Sequence, residues 1–173
     1  MKRWVSYVFI AGLILACSVW IVAVQAASNI PQVNLDVSSA GPREIEDTTE
    51  KAVARDYAKA WSSMATALAE NRTDVLDADF VGVALDEIRE RVNQQQQSGL
   101  RTRYVDRGHK LQAVFYSPEG SAIQLRDVAD FEVQYLDGDK MVNSEQRTQT
   151  YTVVMTAGEN RWKVRVLQEV IGQ

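Results

Sequence analysis

Residues 43–70 read REIEDTTEKAVARDYAKAWSSMATALAE, and this stretch decides the fold. Apolar residues recur in it at intervals of three and four, which places them on one face of a long helix. That face comprises Ile45, Val53, Tyr57, Ala60, Trp61, Met64 and Leu68. Charged residues, Asp56 among them, fill much of the remaining surface, and Pro42 suits the first turn. A helix with two large aromatic side chains on its apolar face needs a broad apolar partner.

The second half of the chain supplies that partner as a run of strands. From Thr102 the helical period gives way to an alternation of apolar and polar residues, the pattern of half-buried strands. Three turn signals divide the region into four strands. They are residues 117–120, 137–139 and 158–160. Successive strands joined by such short turns form an antiparallel meander.

The same periodicities predict which side chains face the interior. Residues 81–98 form a second helix that ends at Gly99, with Gln94 to Gln97 as a solvated last turn. The second strand loses its alternation around residues 127–129, which predicts a bulge or bend there. The apolar face of the first strand comprises Leu111, Ala113 and Phe115. That of the last strand comprises Trp162, Val164 and Val166, and Leu167 lies on its opposite face.

The chain opens with a targeting segment. Lys2 and Arg3 precede an uncharged apolar stretch, residues 4–24, close to the ~20 residues that a spanning helix needs. The positive-inside rule keeps the amino terminus in the cytoplasm and sends the rest across the membrane. Two alternatives remain open: cleavage after a signal-peptidase site at residues 24–26, and lipidation of Cys17, the chain's single cysteine.

These signals predict three parts and an α+β fold. Residues 1–25 are a signal-anchor or transmembrane helix, residues 26–42 a linker, and residues 43–173 one domain. In that domain a long helix and shorter helices pack on a curved antiparallel sheet of about four strands. Alternation of Val33, Leu35 and Val37 within the linker leaves a short edge strand as an alternative.

Charge limits the partners. The chain has 19 basic and 23 acidic residues; without Lys2 and Arg3 the remainder carries a net charge of −6. Phosphate binding needs a basic surface, so we expect no nucleic-acid partner, although Arg101, Arg103, Arg107 and Lys110 form a local basic strip.

Candidate catalytic residues are few. Asp127 and Asp130 lie where the alternation fails, and paired carboxylates can exchange a proton, but a solvated bulge explains them more simply. His109, the only histidine, stands between Gly108 and Lys110, and we expect it to be exposed to solvent. The aromatic residues that either line a pocket or fill the core are Tyr57, Trp61, Tyr104, Phe115, Phe131, Tyr135, Tyr151 and Trp162. No pattern for a metal or cofactor site is present.

The order of elements resembles the nuclear transport factor 2-like superfamily. The residues that carry the resemblance are 57–61 (YAKAW), 80–85, 151–154 (YTVV) and 161–164 (RWKV), and it covers residues 44–170. It implies a sheet curled into a cone around the first helix. Two groups of proteins share this layout behind one membrane span: inner-membrane assembly factors of type IV secretion and conjugation, and intermembrane-space domains of plastid and cyanobacterial division proteins.

The function predicted from the sequence is therefore a membrane-anchored, extracytoplasmic interaction or assembly module with no catalytic activity, of bacterial type. Its partners would be the membrane, through residues 4–24, and another membrane or exported protein, with a homodimer through the sheet as a further expectation. The alternative is a small-ligand binder or polyketide-cyclase-like enzyme with Tyr57, Asp127 and Asp130 in its pocket.

Overall fold

The computed structural model describes residues 30–171. Its elements are β1 (Val33–Asp36), α1 (Asp47–Glu70), α2 (Gly82–Ser98), β2 (Leu100–Tyr116), β3 (Ala122–Asp137), β4 (Lys140–Ala157) and β5 (Trp162–Glu169). The strands form one sheet in this order, with β2 to β5 antiparallel and β1 parallel to β2. The predicted α+β architecture is confirmed, and a fifth strand is added to it. The predicted span, residues 4–24, lies outside the described residues; within residues 30–171 no helix is long and apolar enough to cross a membrane.

Helix α1 presents the predicted apolar face to the sheet. Val53, Tyr57, Trp61 and Leu68 are all buried on it. The helix packs against β1 and β2 at one edge of the sheet and against β5 at the other, so the sheet curves around it. Asp56 is also buried, because its carboxylate accepts the backbone N–H of Trp162 at 3.0 Å, and its assignment to the solvated side was wrong.

The start of α1 differs from the prediction. Pro42 pairs with Tyr116 as an isolated bridge, and the carbonyl of Gly41 accepts the Tyr116 N–H at 2.8 Å. Those contacts hold the chain extended along the end of β2. The helix therefore begins only at Asp47, and Pro42 is not in its first turn.

Part of the predicted linker belongs to the sheet. Residues 33–36 form β1, with Val33 opposite His109 and Asp36 opposite Gln112, and Leu35 is buried against the core. The edge-strand alternative is what the structure shows for these residues. The carbonyl of Gln32 also accepts the His109 N–H at 2.9 Å, which ties the entry of the domain to the middle of β2.

Strand β3 contains no bulge at residues 127–129. From Ile123 to Val133 its buried residues are Ile123, Leu125, Asp127, Ala129, Phe131 and Val133, an unbroken alternation in which a carboxylate occupies an inward position. The predicted loss of alternation was wrong, because Asp127 was assumed to point outward. The irregularities lie instead in the neighbouring strands.

Bulges in β2 and β5 reverse the faces of the residues that follow them. In β2, Val114 is an extra residue between Ala113 and Phe115, so Phe115 lies outside and Tyr116 is buried. In β5 the register shifts across Arg165, so Leu167 pairs with buried Val153 on the inner side. The predicted inward positions of Phe115 and Val166 were therefore wrong.

Helix α2 confirms the second predicted helix. Ala84, Ile88 and Val92 are buried, and Gly99 follows the helix with a φ of 72°, a left-handed conformation that favours glycine. Gln95 departs from the predicted solvated last turn. Its amide is buried and donates to the carbonyl of Leu68 at 2.9 Å, which joins the ends of α1 and α2.

Candidate functional site

Two of the three predicted site residues meet inside the cone. The hydroxyl of Tyr57, on α1, donates to Oδ2 of Asp127, on β3, at 2.7 Å, and both residues are fully buried. Asp130 is exposed on the opposite face of β3, because it is an odd number of residues from Asp127. The favoured interpretation, a solvated bulge at Asp127, is therefore wrong, and the alternative in which the two aspartates form an acid–base pair does not hold either.

His109 joins this pair, contrary to its predicted exposure. Only 2% of the residue is exposed, and Nδ1 lies 2.7 Å from Oδ2 of Asp127. On the other side of the ring, Nε2 lies 2.7 Å from Oδ2 of Asp106. Each ring nitrogen faces a carboxylate oxygen, so each donates a proton and the ring is an imidazolium cation. Burial opposes that charge, but the hydrogen bonds to Asp106 and Asp127 raise the pKa of His109 to about 9.

A bulge in β2 makes this arrangement possible. Asp106 and His109 are three residues apart, and in a regular strand they would face opposite sides. The register instead shifts between Asp106 and Gly108, with Arg107 as the extra residue. Gly108 adopts a φ of 137° at this point, a conformation that a side chain would strain. Both polar side chains consequently reach the interior.

The polar cluster of Tyr57, Asp106, His109 and Asp127 is closed to solvent at its centre. Burial, and then the negative charge of Asp127, hold the pKa of Tyr57 well above its ordinary value, so the phenol stays protonated. The side chains of His109 and Asp127 are 0% exposed. The cluster contains an acid and a base in contact, but no path from its centre to a substrate.

Trp61 covers the cluster on its inner side. Its ring centroid lies 4.5 Å from that of His109 and 6.4 Å from that of Tyr57. Its other neighbours are aromatic as well, with Tyr151 at 5.6 Å and Phe131 at 5.9 Å. The indole therefore stands between the polar cluster and the remaining space inside the cone.

That space is a cavity of about 350 Å³ between α2 and the sheet, within the range of ligand pockets. Its apolar floor includes Met64, Ile88, Phe131 and Val133. The polar side chains of its lining, which we call its mouth, are Glu87, Arg91, Thr102, Tyr104, Tyr135, Arg147, Gln149, Tyr151, Gln168 and Glu169. Four of the eight predicted aromatic residues thus line a cavity; Tyr57, Trp61 and Trp162 belong to the core, and Phe115 lies on the outer face.

Two arginines from opposite walls converge on this cavity. Arg147, on β4, donates to the hydroxyl of Tyr135 at 3.2 Å and pairs with Glu145 at 2.6 Å. Arg91, on α2, and Arg147 line the cavity together with Tyr104, and their positive charges oppose the rise in the pKa of Tyr104 that burial causes. The mouth can therefore offer cationic and phenolic hydrogen-bond donors to a bound group.

Sequence reasoning missed Asp106, Arg91 and Arg147 as members of these sites. The spacing of Asp106 and His109 around Gly108 was a usable signal, because a glycine inside a strand often marks a bulge. Nothing comparable marked the arginines, which come from elements far apart in sequence. Among residues 30–171, no group of three or more His, Cys, Asp or Glu side chains is arranged to hold a metal ion.

Comparison with solved structures shows a shared fold. The chain is similar to the crystal structure of the intermembrane space region of the chloroplast protein ARC6, with a TM-score of 0.60 and 18% identity over 76% of this chain and 100% of that one. A putative dehydratase from the nuclear transport factor 2-like family of Streptomyces avermitilis aligns with a TM-score of 0.48 and 9% identity, over 70% of this chain and 99% of that one. No protein-family model and no curated protein matches the chain.

The ARC6 similarity bears on fold alone. An intermembrane-space domain is one of the two kinds of protein that the sequence resemblance named. The α+β fold predicted for this chain is confirmed for residues 30–171. The wider nuclear transport factor 2-like assignment agrees with this fold and remains a prediction.

Proposed function

We propose that the chain is a membrane-anchored, extracytoplasmic interaction module without catalytic activity, and that its cavity receives a segment of another membrane or exported protein. Residues 4–24 would be the anchor, with the amino terminus in the cytoplasm and the domain in the periplasm or outside the cell. The shared fold with an intermembrane-space region is in keeping with such a placement.

The composition of the cavity is the observation that carries this proposal. Its lining combines three tyrosines and two arginines with aliphatic and aromatic side chains. Tyr and Arg are among the residue types enriched in the energetically dominant parts of protein interfaces, where a partner's side chain fills a pocket and its polar atoms are matched at the rim. A cavity of this size suits one or two side chains of a partner segment.

The position of the polar cluster argues against catalysis. An acid or base must come within hydrogen-bond reach of the proton that it transfers. Tyr57, His109 and Asp127 are absent from the lining of the cavity, and Trp61 stands between them and it. Their mutual hydrogen bonds, both to Oδ2 of Asp127, join α1, β2 and β3 within the core, and Oδ1 of Asp127 has no hydrogen-bond partner among residues 30–171.

Photo-crosslinking from the cavity mouth tests the interaction. A photoreactive residue in place of Glu87, in the full-length chain in its native membrane, should form one discrete adduct with a membrane or exported protein. Arg91→Glu in the same chain should remove at least nine-tenths of the adduct, because it reverses a charge at the mouth. Arg89→Glu is the matched control: Arg89 lies on the same helix and pairs with Asp77 at 2.6 Å outside the cavity, so the adduct should persist. Equal adducts in both variants would contradict the proposal.

The alternative function, a small-ligand binder or polyketide-cyclase-like enzyme, draws on the hydrogen-bonded chain of Tyr57, Asp127 and His109. It would require Trp61 to move aside. In a comparison of two folded variants, Asp127→Asn would then abolish function while Arg91→Glu left it intact. The interaction module requires the opposite pattern.

A further inference from the structure

The outer face of the sheet, the side turned away from α1, has an unusual lack of charge along one strand. Strand β4 presents Thr148, Thr150, Thr152, Val154 and Thr156 there, in alternation with the inner residues Val153 and Met155. Surfaces of soluble domains usually carry interspersed charges of both signs, which discourage association. A row of threonine and valine is instead β-prone, moderately polar and easily desolvated, as in a wet interface.

The neighbouring strand β3 carries an ordered pair of opposite charges on the same face. Arg126 and Asp130 are exposed two residues before and two residues after Val128. At ~3.3 Å per residue they are about 13 Å apart along the strand, too far to pair with each other. Neither takes part in any ion pair among residues 30–171.

We propose that a second copy of the chain packs on this face, related by a two-fold axis that crosses the strands level with Val128. In a two-fold interface the contacts are reciprocal: a residue on one side of the axis faces the residue at the same distance on the other side, so opposite charges equidistant from the axis become partners. Arg126 of each copy then faces Asp130 of the other, and two identical ion pairs form. Val128 and Thr150, which are paired in the sheet, lie at the centre.

The dimensions of the face suit such a dimer. Strands of 16–18 residues span about 50 Å, and three of them at ~4.8 Å spacing are about 14 Å wide. Because the sheet curves around α1, the resulting area of roughly 700 Å² is the most that each copy can contribute, against the ~800 Å² per partner of a standard interface. Lys110 pairs with Val128 in the sheet and therefore faces Lys110 of the other copy, next to the edge strand β1; its flexible stem lets each ammonium group turn away from the other toward solvent.

This inference goes beyond the proposed function, because it uses the opposite side of the sheet. The cavity lies between α2 and the inner face, so it stays open in the dimer. A dimer would present two cavities pointing away from each other.

A charge-swap experiment with the full-length chain in detergent tests the pairing. Arg126→Glu places two acidic pairs across its own dimer, and Asp130→Lys places two basic pairs across its own. Each variant alone should therefore self-associate at least tenfold more weakly than the unmodified chain in analytical ultracentrifugation. A mixture of the two should form a heterodimer with near-normal affinity, because both of its contacts join opposite charges. The double variant Arg126→Glu/Asp130→Lys should also recover.

Arg89→Glu is the matched control, since Arg89 lies on α2, on the inner side of the sheet, and it should leave self-association unchanged. A monomeric unmodified chain, single variants that dimerise normally, or a mixture that does not recover would each overturn the proposal. Thermal melting checks that the variants fold. If a single variant is unfolded, the double variant still tests whether the exchanged charges restore self-association. The Glu87 crosslink should persist in every variant, so failure of the dimer and failure of the interaction module are distinguishable.

Discussion

The polar cluster and the cavity are two regions of the same interior, and they differ in access rather than in chemistry. The polar cluster pairs its charges internally, with His109 between Asp106 and Asp127. The cavity directs Arg91 and Arg147 toward a space that opens to solvent. Trp61 contacts both regions. Acid and base groups in the interior are not by themselves an active site, because a substrate must also reach them.

Truncation of Trp61, which lies between the two regions, should cause the largest loss of stability. Trp61→Ala leaves an indole-sized hole among five aromatic rings, and such substitutions typically cost ~3–5 kcal/mol. A single domain has only ~5–15 kcal/mol of stability, so the cooperative unfolding transition should largely disappear. Urea unfolding followed by circular dichroism measures it, with Trp61→Phe as the milder control. An unchanged midpoint would mean that Trp61 does not separate the regions.

The second largest effect should be a loss of stability at alkaline pH, caused by deprotonation of His109 in the polar cluster. The pKa of His109 is about 9 in the folded chain, against about 6.5 for an unfolded histidine. Because the folded value is the higher one, its stabilisation is complete below pH 6.5 and is lost as the pH rises through 9. The linked loss is on the order of 3 kcal/mol. Unfolding free energies from pH 6 to 10 measure it, and His109→Gln should flatten the curve over that range. The same slope in both proteins would contradict the buried imidazolium.

The same substitution, Tyr to Phe, should reduce stability in the polar cluster but hardly at the cavity, and this is the smallest of the expected effects. Tyr57→Phe removes a donor from buried Asp127 and should cost ~1.5–3 kcal/mol, the usual value for a hydrogen bond to a charge. Tyr135→Phe removes a hydroxyl at the cavity mouth and should change stability by less than ~0.5 kcal/mol. Differential scanning fluorimetry of the two variants compares them directly. Equal costs would mean that the cavity is as closed as the polar cluster.

Much of the fold was predictable, because periodicity alone locates long elements. The apolar face of α1 from Val53 to Leu68, the extent of α2 and the four meander strands all follow from spacing. Bulges were not predictable, since one extra residue reverses the faces without altering the local composition. Phe115 and Tyr116 are equally suited to either side of a strand, so their sequence could not reveal the bulge at Val114.

The candidate sites were less predictable, because polar residues inside depend on partners that are distant in sequence. Asp127 keeps the inward alternation of Leu125 and Ala129, but its burial requires Tyr57 from α1 and His109 from β2. Without those partners a buried carboxylate would be unfavourable, so an outward position was the natural expectation. The arginines of the cavity meet only after the sheet has curved.

Strand β1 differs from the other strands in how far apart in sequence its pairing partners are. The hairpins of β2 with β3 and of β3 with β4 close through short turns, whereas Val33 pairs with His109 across most of the domain's sequence. Closure of so long a loop costs more chain entropy, and only four residues of pairing compensate for it. We therefore expect β1 to join last during folding and to detach first during local opening. Tension applied to the chain before β1 would then separate β1 from β2 first, and the rest of the domain would stay folded while that strand absorbed the extension.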